Sequence, residues 1–143
     1  MRAVQITSLD GPSALEVVTL AEPAAGAGDV VIDVHVAGVT FPEVLQSRGQ
    51  YQIKPPLPFV PGSEISGVVR SAPEGSGLSA GQRVAAFPVL GGFADVATAP
   101  PAQVFPLPDG VSFEAGAALP MNYLTVHFGL VRRGRRSVPS PRP

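Results

Sequence analysis

Between Leu57 and Val69 the chain passes two prolines, a glycine and an acid before it enters an apolar strand, and that order leaves the backbone little freedom. Pro58 and Pro61 hold an extended connection, and Gly62 supplies a position where a side chain would be in the way. Glu64 then stands between a rigid loop and the apolar residues that begin at Ile65, where a charge needs a partner. The same punctuation runs through the whole sequence: 16 glycines and 17 prolines among 143 residues favour many short strands over long helices. With 45% hydrophobic residues, a chain of this length suits one domain with a real core.

The local patterns give the elements. Residues 2–7 and 14–20 read as a pair of strands joined at Asp10-Gly11-Pro12, with Val4 and Ile6 on one face. After a loop of small residues from Ala24 to Gly28, Val30, Ile32, Val34 and Val36 alternate with Asp33 and His35, the pattern of a half-buried strand with His35 on its solvated face. Thr40, Pro42 and Glu43 carry the signature of a capped helix that ends at Gly49. Strands are expected at 65–71, 82–87, 93–98 and 103–106, spaced as in a small barrel or partly open sheet. Ser112 caps a brief helix through Ala118. Pro120 interrupts it, and a second helix over 122–131 carries Tyr123, Val126 and Leu130 on one apolar face. Residues 132–143, rich in arginine and proline, read as a disordered tail.

Charge and composition narrow the function. Five basic residues oppose eleven acids over residues 1–131, a net −6, so the body offers no broad footprint for nucleic acid. Arg132, Arg133, Arg135, Arg136 and Arg142 crowd the last twelve positions, a patch too short to bind an anionic polymer other than weakly. No stretch is long and apolar enough for a membrane span, and no signal peptide is visible. The absence of cysteine excludes disulfides and thiolate zinc sites and is consistent with the cytoplasm.

The run from Pro58 to Val69 resembles the segment P-x-x-x-G-H-E-x-x-G-x-V of the medium-chain dehydrogenase/reductase superfamily. Other segments agree in order. Val36-Ala37-Gly38-Val39-Thr40-Phe41-Pro42-Glu43 resembles A-x-G-V-N-x-x-D, and Arg48-Gly49-Gln50-Tyr51 resembles R-x-G-x-Y. Gly81-Gln82-Arg83-Val84 is similar to G-D-R-V, Gly91-Gly92-Phe93-Ala94-Asp95 to G-G-x-A-E, and Ala117 to Thr125 to the approach to the cofactor domain. The resemblance covers residues 1–131 and implies a mainly β, GroES-like distorted barrel with short helices. Ser63 stands where the zinc-dependent alcohol dehydrogenases carry a metal-binding His, and Thr40 falls near their first Cys. Neither is a usual zinc ligand, so the resemblance points to the zinc-free quinone oxidoreductase-like branch. It implies NADPH as cofactor and a quinone, an enone or an enoyl thioester as substrate.

Tyr51 matches the Tyr that looks like the proton donor of related enoyl-thioester reductases; its other reading is packing over the cleft. Thr40 matches a position close to the nicotinamide, while its local reading is the helix cap. Asn122 and Thr125, with Tyr123 between them, stand where phosphate or ribose contacts are expected, although Asn122 also suits a cap after Pro120. Glu64 reads as a carboxylate ordering the loop by accepting backbone N–H groups, Ser63 as a turn residue, and His127 as structural. The sequence stops before the glycine-rich βαβ unit that would open a dinucleotide-binding domain. The expectation is therefore a truncated or frame-shifted member, inactive and without bound NADPH on its own. Its uncovered interface would promote self-association. The rival reading is a non-catalytic GroES-like binding or assembly module.

Overall fold

A computed structural model describes residues 1–26 and 28–134. Two antiparallel sheets make up the body. In the first, β1 (Arg2–Ile6) and β2 (Leu15–Thr19) pair from Arg2 opposite Thr19 to Ile6 opposite Leu15. The second holds β3 (Val30–Ala37), β4 (Ile65–Ser71), β5 (Arg83–Ala86), β6 (Val96–Ala99) and β7 (Val104–Pro106) in the order β6-β3-β4-β5-β7. Val30, Ile32, Ile65, Val69 and Val84 are buried in one cluster between its strands, so the expected alternation along β3 does face a core. The segment 93–95 joins the two sheets: Phe93 O accepts from Val4 N at 2.8 Å, and Asp95 N donates to Arg2 O at 3.0 Å. The result is a curled, half-closed barrel, the distorted GroES-like shape expected from the sequence.

Curling depends on the irregular β3–β4 ladder, whose register shifts between Val31 and Ile32 and again between Val34 and Val36. Gly67 lies opposite Val34, and a Cβ there would come 2.0 Å from the Asp33 carbonyl oxygen. Only glycine lets the two strands approach so closely.

Two boundaries differ from those expected. Strand β6 begins at Val96 rather than Phe93, because residues 93–95 divide their hydrogen bonds: Phe93 O and Asp95 N pair with β1, Phe93 N donates to Pro61 O, and Asp95 O alone accepts from β3, at Val34 N. Pro120 opens a helix rather than interrupting one. After α1 (Phe41–Ser47) and α2 (Phe113–Ala117), α3 runs Pro120–His127 with Pro120 in its first turn, where a missing N–H costs nothing. Asn122 is consequently inside the helix and is not its cap; the cap position is Leu119. A π-helical stretch, Phe128–Arg133, continues α3. Arg132 and Arg133, expected in the tail, belong to this stretch, and the tail from residue 135 lies outside the described residues.

Candidate functional site

The site begins with α1, whose first turn faces the loop that leads into β4. Thr40 caps α1, and the Glu43 carboxylate reaches back to it: Oε2 accepts from the Thr40 amide at 2.8 Å and from the Thr40 hydroxyl at 2.5 Å. The second oxygen looks the other way. Oε1 accepts from the Ser63 amide at 3.0 Å and from the Ser63 hydroxyl at 2.5 Å. One buried carboxylate thus ties together Thr40 and Ser63, the two positions at which the sequence departs from the zinc-binding pattern it resembles. Sequence spacing identified the cap half of this arrangement. The Ser63 half joins residues 20 apart and has no local signal.

Glu64 is the neighbouring buried acid, 2% exposed. Its backbone oxygen accepts from Gly38 N at 2.9 Å, and its side chain lies against Gly38, where a Cβ would stand 2.4 Å from Oε1. Oε2 accepts from the Met121 amide in the first turn of α3 at 2.9 Å. The expectation of a carboxylate that accepts a backbone N–H therefore holds, although the donor is 57 residues away. Burial pushes the Glu64 carboxyl above its ordinary value; the Met121 amide opposes the rise and the charge of Glu43 adds to it.

The remaining candidates do not converge on one cavity. Tyr51 is half-buried and lines a small cavity of about 50 Å³ with Leu9, Gln46 and Phe59. Thr125 lines a different groove of about 260 Å³ beside Phe87 and Phe128. Thr125 is exposed, and its hydroxyl donates to Met121 O at 2.6 Å; exposed Asn122 donates from Nδ2 to Ala118 O at 3.3 Å. The first turn of α3 is not a free anion site, since Pro120 has no N–H and the Met121 amide is committed to Glu64. His127 lines a third, strongly apolar groove of about 540 Å³ between β7 and α3, together with Phe105, Leu107 and Tyr123. His35 is exposed on β3 as expected, with its ring 4.3 Å from that of Phe113. Among the described residues no group of three or more His, Asp or Glu side chains is placed to hold a metal ion.

The outer face of α3 and of the π-helical stretch that continues it is bare. Tyr123 is 66% exposed, Leu130 71% and Phe128 53%, and of the residues of α3 only Pro120 is buried. No helix of the described residues is long and apolar enough to cross a membrane.

A half-barrel of this topology, with a buried acid behind the loop that enters β4, defines a class of domain. Residues 26–109 match the alcohol dehydrogenase GroES-like domain, and the chain belongs to that family. It is 36% identical over 138 residues to the quinone oxidoreductase of Rattus norvegicus, an alignment covering 94% of this chain and 42% of that protein. A probable oxidoreductase from Mycobacterium abscessus superposes with a TM-score of 0.90 at 46% identity, over 95% of this chain and 44% of that one. The quinone oxidoreductase of Thermus thermophilus, whose structures include a complex with NADPH, gives 0.81 at 38% identity over 95% and 42%. The chain spans about two fifths of the length of these relatives.

Proposed function

We propose that this chain is the substrate-side half of a zinc-independent, NADPH-dependent oxidoreductase acting on a quinone or an enone in the cytoplasm, and that it does not turn over alone. The observation that carries the reading is the Glu43 carboxylate bound to both Thr40 and Ser63. Neutral hydroxyls are not usual zinc ligands, and the chain has no cysteine to replace them.

NADPH, when bound, supplies a hydride. What this chain contributes is a wall of acceptors. The Thr40 hydroxyl proton is engaged by Glu43 and that of Thr125 by Met121 O, so both present lone pairs. Lone pairs suit the N–H groups of a carboxamide or the O–H groups of a ribose, not a phosphate. The Tyr51 phenol is the group we assign to donate a proton to the reduced substrate. It lines a separate cavity from Thr125, so closing the site requires the second half of the enzyme or movement of the loop after α1.

The test is a chimera that joins this chain to the cofactor domain of a relative. Quinone reduction without added zinc, lowered about a hundredfold or more by Tyr51→Phe, is the result expected for loss of a general acid. Full activity of the Tyr51→Phe chimera, or activity that requires zinc, contradicts the assignment.

A second reading is favoured by the bare face of α3 and its π-helical continuation: a non-catalytic module that assembles through Tyr123, Phe128 and Leu130. It separates from the first by the chimera's failure to reduce any quinone.

A further inference from the structure

We propose that Glu64 is the positioning residue of α3, the acceptor that fixes the direction in which this helix leaves the barrel. The inference rests on the reading above in one respect, that α3 carries Asn122 and Thr125. Its test uses neither cofactor nor substrate.

The helix has little else to hold it. Of its residues only Pro120 is buried, and its cap residue, Leu119, has no side chain able to accept a hydrogen bond. The Met121 amide is the first N–H the helix offers, and Glu64 Oε2 takes it at 2.9 Å. Glu64, by contrast, cannot move. Its peptide is held by Gly38, its side chain fills the space left by the missing Cβ of Gly38, and the preceding Gly62 is packed against Phe93. A rigid carboxylate placed at the positive end of a loosely packed helix acts as a remote cap and sets its angle.

The bond is also sensitive to charge. The groups facing the Glu64 carboxyl are Gly38 from the turn after β3, the Met121 amide from α3, and Glu43 from α1; of these only Glu43 carries a charge. The Met121 amide favours the ionised carboxylate, so docking of α3 and loss of the Glu64 proton reinforce each other. Burial works the opposite way on the fold as a whole, favouring the protonated acid. Acid should therefore loosen α3 while leaving the barrel intact, a pattern that a purely structural residue would not give.

The experiment is an NMR titration of the labelled, full-length chain from neutral pH through the carboxylate range, reading the Met121 amide shift, the Glu64 carboxyl carbon and amide exchange corrected for intrinsic rates. Met121 and Glu64 should titrate with a common midpoint. Protection over residues 121–126 should fall about fivefold on the acid side, the difference between a charged and a neutral acceptor, while Ile32 and Val69 stay protected. In Glu64→Gln, protection of α3 should no longer depend on pH. A Met121 amide indifferent to Glu64 ionisation, or a Glu64→Gln helix that still loosens in acid, overturns the proposal. If Glu64→Gln does not fold, the wild-type titration decides alone.

Discussion

Replacing Glu43 with alanine removes an acceptor that four donors share: the amide and hydroxyl of Thr40 and the amide and hydroxyl of Ser63. Ser63 is 3% exposed, so water cannot take over its amide and hydroxyl. A buried donor left without a partner costs about 1–3 kcal/mol. Two such groups, with partial rehydration of Thr40, give an expected loss of about 3–5 kcal/mol, a large share of the stability of a domain this size. Glu43→Gln discriminates packing from charge, since it preserves shape but turns an NH2 towards one pair of donors. It should cost about half as much or more. Urea unfolding followed by circular dichroism measures both variants, and Ser63→Ala in the Glu43→Ala background supplies the control. Once the acceptor is gone, truncating Ser63 should cost nothing further and should recover part of the loss. A Glu43→Ala midpoint within about 1 kcal/mol of wild type would refute the four-donor account.

Val89 has φ 69°, a left-handed backbone that costs a β-branched residue roughly 1–2 kcal/mol. Val89→Asn should raise the thermal midpoint by a few degrees in a calorimetric scan. For Glu64, the folded-state pKa lies above the ordinary value of 4.5. Its contribution is therefore fully present below that value and lost as the pH rises through the raised one. Urea midpoints for wild type should fall relative to Glu64→Gln as the pH rises through this window and then hold a constant difference above it. Finally, the bare face of α3 and its π-helical continuation should drive self-association, seen as a concentration-dependent mass in sedimentation. Leu130→Lys should suppress it without changing the urea midpoint.

Much of the body was legible in the sequence because its signals are local. The alternation from Val30 to Val36 has period two and faces a core, and the Thr40–Glu43 pair lies within one helical turn. Gly49, at φ 66°, ends the short chain segment after α1 where glycine was read as a stop. The misread boundaries share a cause. Residues 93–95 look like the start of a strand, but they share their hydrogen bonds among β1, β3 and the loop at Pro61, a division set by how the sheet curls, which no short window contains. Pro120 is equally compatible with breaking a helix and beginning one; Leu119, already helical in φ and ψ, decides for the second. The site was only half visible. Thr40, Ser63 and Glu64 were singled out as chemistry-bearing positions. That Glu43 joins two of them, and that Glu64 reaches Met121, are tertiary facts between residues 20 and 57 apart. Tyr51, read as a proton donor, and Thr125, read as a phosphate or ribose contact, line separate cavities, a separation on which a sequence motif is silent.

In the function proposed above, these residues supply one wall of a shared site and no complete cofactor site of their own. That proposal is tested most directly by titrating the purified chain with NADPH and following nicotinamide fluorescence and heat of binding together. The expected result is a linear, non-saturating response to the highest concentration reached. Saturable binding at one NADPH per chain, with quinone-dependent oxidation that survives removal of contaminating reductases and is lost in Tyr51→Phe, would contradict the account.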